Sequence, residues 1–122
     1  MCKNSGEKPV YDLEERTFLF ARRIRLLVKK IKLNPYNQDD IKQLIRSSGS
    51  IGANYIEANE ALSKKDFYHR IKISRKEAKE AAYWIRMLLE TDEQAPEQEF
   101  QDAYQEANEL KKIFSATLVK AQ

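Results

Sequence analysis

From Asp12 to Lys120 the chain is punctuated at only three places, and between them apolar residues recur at steps of three and four. That period lines side chains along one face of an α-helix and does not fit the two-residue alternation of a half-buried strand. The breaks are Asn34-Pro35-Tyr36-Asn37, where proline and two asparagines favour a turn, the region around Ala61-Leu62-Ser63, and Thr91-Asp92-Glu93-Gln94-Ala95-Pro96. Three glycines and three prolines in 122 residues leave little else to interrupt a helix. An apolar share of 42% is too high for a disordered chain, and the length fits one domain. The expected division is a flexible tail over residues 1–11 and a single domain over 12–122.

Start signals fall at the right places. Asp12 with Glu15 has the spacing of a capping box, and Ser63-Lys64-Lys65-Asp66 is similar. A second helix should start near Asp39 or Asp40, and Pro96 should open a fourth. The expected core stripes are Leu13, Thr17, Phe20, Ala21, Ile24, Leu27, Val28 and Ile31 in the first helix, and Ile41, Leu44, Ile45, Ser48, Gly52, Tyr55, Ile56 and Asn59 in the second. They continue with Phe67, Ile71, Ser74, Ala78, Ala81, Ile85, Leu88 and Leu89 in the third, and Phe100, Ala103, Tyr104, Ala107, Leu110, Phe114 and Leu118 in the fourth. Helices of this length joined by short turns pack as antiparallel neighbours, so the expected fold is all-α, an up-down-up-down antiparallel four-helix bundle.

Two features exceed what such a bundle needs. Leu19, Leu26 and Leu33, with Phe18 nearby, lie off the core face of the first helix, and Ile73, Trp84 and Met87 lie off that of the third. Two long apolar seams suggest contact with another chain, so Phe18, Leu19, Leu26, Ile73, Trp84 and Met87 are candidate oligomer-interface residues. The alternatives are apolar residues scattered singly over the surface, and a Trp84 folded back over a bundle edge. The second feature is Ser47-Ser48-Gly49-Ser50-Ile51-Gly52-Ala53, which costs about 2–3 kcal/mol of helix propensity against alanine. Close approach of a neighbouring helix, a kink, or backbone contact with a ligand would each account for it, and close packing is the simplest.

Charge is segregated. Seven bases stand against three acids from Asp12 to Lys32, and the same count holds from Lys64 to Glu80, whereas Asp92 to Glu109 carries seven acids and no base. Arg22, Arg25, Lys29 and Lys32 form an outward stripe on the first helix, and Arg16, Arg23 and Lys30 another. Lys65, Lys72, Lys76, Lys79 and Arg86 share the outer face of the third helix with Tyr68 and Tyr83. Cations interleaved with aromatics can hold phosphates while rings stack on unpaired bases, which makes eight of these residues (Arg22, Arg25, Lys29, Lys72, Lys76, Lys79, Tyr68, Tyr83) the candidate nucleic-acid contacts. The competing reading is a set of solvated faces, or bases that meet the acids of the last helix within the bundle.

Little supports catalysis. His69 and Cys2 are the only histidine and cysteine, too few for a Cys/His zinc site within one chain. A Ser-His-Asp arrangement would have to use His69, which has charged neighbours and no nucleophile elbow around it, and no Glu-x-x-His motif occurs. Glu57, Glu60, Glu77 and Glu80 could approach one another between the second and third helices, where Arg46 and Arg75 would sooner make them an ion-pair network than an acid/base pair. No enzyme activity, cofactor, metal or small-molecule substrate is expected. No apolar run nears the roughly 18 residues of a membrane span, and MCKNSGEKPVYD has no hydrophobic stretch of a secretion signal, so no membrane contact and a cytoplasmic location are expected.

The stretches Tyr11–Thr17, Ile45–Glu60, Ile71–Trp84 and Glu109–Ser115 together resemble the small bacterial four-helix-bundle proteins encoded in intervening sequences of 23S ribosomal RNA genes. The segment Ser50-Ile51-Gly52-Ala53-Asn54-Tyr55-Ile56-Glu57 is the most specific. Where many members carry glycine after the glutamate, this chain has Ala58. The resemblance implies an up-down bundle that assembles as a homopentamer. It extends to the accessory proteins of diversity-generating retroelements, which form basic five-fold barrels that engage nucleic acid, and it implies RNA or DNA as a partner. It brings no catalytic residues.

Overall fold

Two of the four helices begin at a side chain that accepts one of their free N–H groups. The structure is a computed structural model and describes residues 12–120. Its helices are α1 (Leu13–Val28), α2 (Gln38–Asn59), α3 (Lys64–Thr91) and α4 (Glu97–Lys120), with no strand among the described residues. The tail expected over residues 1–11, including Cys2, lies outside them. The Asp12 carboxylate caps α1 by accepting the Glu15 N–H at 3.1 Å, and the Ser63 hydroxyl oxygen caps α3 by accepting the Asp66 N–H at 3.0 Å. The Pro96 carbonyl accepts the Phe100 N–H and opens α4.

The second helix departs slightly from expectation. It starts at Gln38 with Asn37 as its cap residue, yet the Asn37 side chain makes no capping bond. That side chain is committed elsewhere. Its amide donates to the Lys32 carbonyl at 2.9 Å and to the Asp92 carboxylate at 2.8 Å, and its oxygen accepts the Asn34 N–H at 2.9 Å. Gln94 in turn accepts the Lys32 N–H. The 29–37 and 92–96 turns are thereby tied together at one end of the bundle around a buried asparagine.

Each helix packs on its chain neighbours, α1 on α2, α2 on α3, α3 on α4, and α4 back on α1. Cross-helix contacts run in opposite residue order, as in Glu14–Asn59 with Arg25–Ser48 and Asn54–Arg70 with Arg46–Glu77, so adjacent helices are antiparallel. The fold is the expected four-helix bundle. Its core is filled by Phe20, Phe100, Phe114, Ile24, Leu44, Ile51, Ile71, Ile85, Leu88 and Leu110, all but Ile51 within the expected stripes.

Two residues of the expected α2 stripe are not core. Ile56 is 47% exposed, and Asn59 is exposed and donates to Glu14 at 2.8 Å. The buried face of α2 is rotated toward α3 and α4 and uses Ser47, Ile51 and Ala58, while Ile56 is left on the outer side of the contact with α1.

The small residues of α2 mark that contact. A Cβ on Gly52 would sit 2.8 Å from Thr17 Oγ1 and 3.2 Å from Thr17 Cβ. Thr17 is buried and its hydroxyl already donates to the Leu13 and Glu14 carbonyls at 2.9 and 3.0 Å, so its β-branched side chain has nowhere to turn. On the α3 side, Ser74 donates to the Ile51 carbonyl at 2.9 Å. Gly49 differs from Gly52, because its Cβ would meet only the end of the flexible Arg25 side chain, at 3.0 Å.

The two glycines should therefore respond in opposite directions. Gly52→Ala is expected to destabilise by about 1–2 kcal/mol, overpacking outweighing the roughly 1 kcal/mol that alanine gains in a helix. Gly49→Ala is expected to be neutral or stabilising by up to about 1 kcal/mol. Adding Thr17→Ala to Gly52→Ala should recover part of the loss. Denaturant unfolding of the three variants checks all of this, and equal effects of the two glycine substitutions would contradict it.

Candidate functional site

The small residues of α2 do more than admit α1. Gly49, Gly52 and Ala53 form the low side of a groove between the two helices, about 530 Å³ in volume and mostly apolar in its walls. Phe18, Ala21 and Leu26 stand along α1, and Ile56 stands on α2. Phe18 is 60% exposed and Leu26 45%. Arg22, Arg25 and Lys29 line the same groove. Positions 18, 22, 25, 26 and 29 fall within one side of α1 at 100° per residue, so one candidate phosphate stripe and half of one candidate interface seam are a single surface.

The three cations of that surface are not equivalent. Arg25 lies across the helix contact, donating to the Ala21 carbonyl at 3.0 Å and, at 3.4 Å, to Ser48 Oγ and the Ile45 carbonyl. Arg22 and Lys29 are exposed and make no ion pair among the described residues. The second α1 stripe behaves otherwise. Arg16 forms a two-pronged bond with Glu106 of α4, at 2.6 and 2.8 Å, and Lys30 reaches both oxygens of Glu99, at 2.8 and 3.0 Å. Part of the acidic charge of α4 therefore neutralises bases inside the bundle. Leu19 is 47% exposed, and Leu33 lies past the end of α1 at 59%.

On α3, Lys72, Lys76 and Lys79 are exposed and none forms an ion pair among the described residues. Tyr83 is 55% exposed and meets Trp84 edge-on at 4.8 Å between ring centroids. Tyr68 is less available, half-buried against the core and edge-on to Phe67 at 5.4 Å. Ile73 and Met87 are half-buried, and Trp84 is folded against the core. Its indole Nε1 donates to Glu80 at 3.1 Å. Trp84 thus takes the bundle-edge position that its alternative reading described.

Glu80 belongs to a small network. Arg46 of α2 donates to Glu77 at 3.2 Å and to Glu80, which draws both carboxylates onto one guanidinium. Glu57 and Glu60 are exposed and stand about 16–21 Å further along α2, so the four glutamates do not converge. Partial burial by itself would raise the Glu80 pKa. The hydrogen bonds from Arg46 and Trp84 and the nearby charges of Arg46 and Lys76 together outweigh it and hold the carboxyl below its ordinary value. The same bonds to Glu80 and Glu77 raise the Arg46 pKa.

A depressed folded-state pKa stabilises at pH values above the unfolded one, and the contribution is lost as pH falls through the folded one. Glu80→Gln should accordingly lower stability by about 0.5–1 kcal/mol at neutral pH. The difference from the unaltered chain should close below the ordinary glutamate range. Unfolding measured from neutral to acid pH checks this, and a constant difference would count against the network.

Gly49 and Ala53 belong to the small-residue run singled out in the sequence, whereas Ile56 reads there as core. The signal for Ile56 as a groove wall is its position relative to Gly52, 40° round the helix and away from α3, which counting apolar residues alone does not weigh.

The comparisons agree with this architecture. A solved structure from Bacteroides thetaiotaomicron VPI-5482, a protein of unknown function from the S23 ribosomal protein family, is similar to this chain at 30% identity and a TM-score of 0.78, covering 88% of this chain and 98% of that one. Among curated proteins there is no significant match. Residues 11–116 match the family described as 23S rRNA-intervening sequence protein. With its sequence matched over that span and its four helices arranged as in the solved relative, the chain belongs to the 23S rRNA-intervening sequence protein family.

Proposed function

We propose that this protein is a non-enzymatic helical bundle that self-associates and holds RNA on the outer face of α3. The observation that carries the RNA reading is the row Lys72, Lys76 and Lys79, exposed and without an ion-pair partner among the described residues, with exposed Tyr83 on the same helix. Lysines left unneutralised in water attract a polyanion and release its counterions on contact, without reading sequence. An exposed ring beside them gives an unpaired base a surface to stack on.

Self-association is supported by the exposed apolar residues Phe18, Leu26 and Ile56 around one groove, a surface that a lone bundle gains by covering. On this reading Arg22, Arg25 and Lys29 belong to the contact between copies and not to the RNA face. A closed ring is the usual result when each copy offers two different patches, and five copies is the number implied by the resemblance. A non-enzymatic role is supported by the commitment of Glu77 and Glu80 to Arg46, and by a lone exposed histidine, His69. The cytoplasm is the compartment that goes with an RNA ligand. No helix among the described residues is long and apolar enough to cross a membrane.

Titration of the full chain with single-stranded RNA, duplex RNA and DNA across a range of salt concentrations tests the proposal. Affinity should fall with salt, and replacing Lys72, Lys76 and Lys79 by Gln should reduce the log–log salt slope by about 2 for single strands. Tyr83→Ala should weaken single-strand binding by about 1 kcal/mol or more. Binding untouched by the three lysine replacements, or absent at about 50 mM salt, overturns the RNA reading.

A further inference from the structure

The surface that faces a partner copy is identified above on one side only, and charge identifies the other. Resting on the self-association just argued, we infer that the α1/α2 groove of one copy receives the outer face of α4 from the next. The groove carries Arg22, Arg25 and Lys29 beside exposed Phe18, Leu26 and Ile56, and its one acid, Glu14, accepts from Asn59 at 2.8 Å, so three cations outnumber it. A second groove laid against it would set these cations on their own counterparts, and the outer face of α3 would set lysines on them. Both arrangements are repulsive.

The fourth helix is the acidic one, with seven acids and no base between Asp92 and Glu109. Glu99 and Glu106 turn toward α1 and are used by Lys30 and Arg16. Gln98, Asp102, Gln105 and Glu109 form a separate outward row, where Asp102 accepts from Gln98 at 2.9 Å and Glu109 stands 3.7 Å from Lys112. These partners are weak and exposed, so the two carboxylates can be redirected at little cost.

Spacing fits as well as sign. Arg22 and Lys29 are seven residues apart, as are Asp102 and Glu109, and each interval is about 10.5 Å of helix. An antiparallel approach that sets Arg22 on Glu109 and Lys29 on Asp102 also brings Phe18 opposite Ile113 and the Ile56 end of the groove toward Ala116. Ala116 is exposed and Ile113 half-buried. One register therefore matches both cations and the apolar end. The small floor of Gly49, Gly52 and Ala53 leaves depth for a helix to settle in. Because groove and row are different patches, each copy can serve as donor and acceptor, and the contact is head-to-tail.

Sedimentation of the full chain at micromolar concentration and about 0.1 M salt tests the pairing. Arg22→Glu with Lys29→Glu, and separately Asp102→Lys with Glu109→Lys, should each weaken association tenfold or more, toward the 14.3 kDa of a single chain. All four changes together should restore the assembly, since the charges are then exchanged across the same contact. The residues altered are on the surface, and helicity and thermal unfolding equal to those of the unaltered chain exclude misfolding as the cause. An unaltered chain that sediments as a single copy overturns self-association itself. An assembling parent whose paired variants also assemble, or whose fourfold variant stays apart, overturns the groove–α4 contact alone.

Discussion

The separation of α1 and α2 is set by a hydroxyl meeting a glycine. Thr17 is buried, β-branched and doubly bonded to its own helix, and Gly52 faces it with no side chain. No other residue at 52 would leave the two backbones where they are without moving one of them. The consequences reach past stability. A helix that supplies Gly49, Gly52 and Ala53 along one edge cannot fill the crevice beside its neighbour, so the side chains on the facing rim stay open to water. The exposure of Phe18, Leu26 and Ile56 is thus a geometric result of the close approach. The helix propensity given up over residues 47–53 yields a tight contact and a concave surface together.

Charge is resolved on a second level. The sequence has basic first and third helices and an acidic fourth, and this could describe either a bundle holding itself together or a surface addressed to something else. Pairs within the bundle account for part of this charge and leave part of it unpaired. Arg16 and Lys30 face α4 and are neutralised by Glu106 and Glu99, while Arg46 gathers Glu77 and Glu80 between α2 and α3. What remains is a smaller set of cations, Arg22 and Lys29 on one side and Lys72, Lys76 and Lys79 on another, that form no ion pair among the described residues, although Lys76 stands close enough to Glu80 to help lower its pKa. Counting bases per helix overstates the surface available to a polyanion. Subtracting the pairs leaves these five cations without an ion-pair partner among the described residues.

The four helices, their starts and most of their buried residues were legible in the sequence, because a 3.6-residue apolar stripe bounded by Asp12, Ser63 and Pro96 has few other ways to fold. The exceptions share a cause. Asn37 reads as a turn residue, and its role in joining two turns depends on Asp92, fifty-five positions away. Ile56 reads as core because it is apolar and correctly spaced, but whether that angle on α2 is covered depends on how far α1 reaches around it. Trp84 reads as surplus until Glu80 is seen to hold its indole N–H. Periodicity reports the direction of a side chain, whereas its neighbour across the helix contact is a property of the packed pair. The candidate site suffered most from this, since Phe18 and Leu26 were assigned to one role and Arg22 and Lys29 to another although all four share a face.

That shared face argues for a division of labour between the two basic helices. Protein contacts are enriched in arginine and aromatic residues and poor in lysine, because a planar guanidinium surrenders its hydration more readily than an ammonium and packs flat on a ring. The α1/α2 groove leans toward the first composition, with two arginines, a phenylalanine and aliphatic walls, although Lys29 and Glu14 also line it. The outer face of α3 has the second, exposed lysines on flexible stems. An ammonium that keeps its water suits a mobile phosphate backbone, which asks for charge at a distance and not for shape. The two surfaces therefore need not compete for one partner. If copies join through the groove, the lysine rows stay outside the contact, and assembly would multiply a weak affinity for a polyanion without any new contact in the single chain.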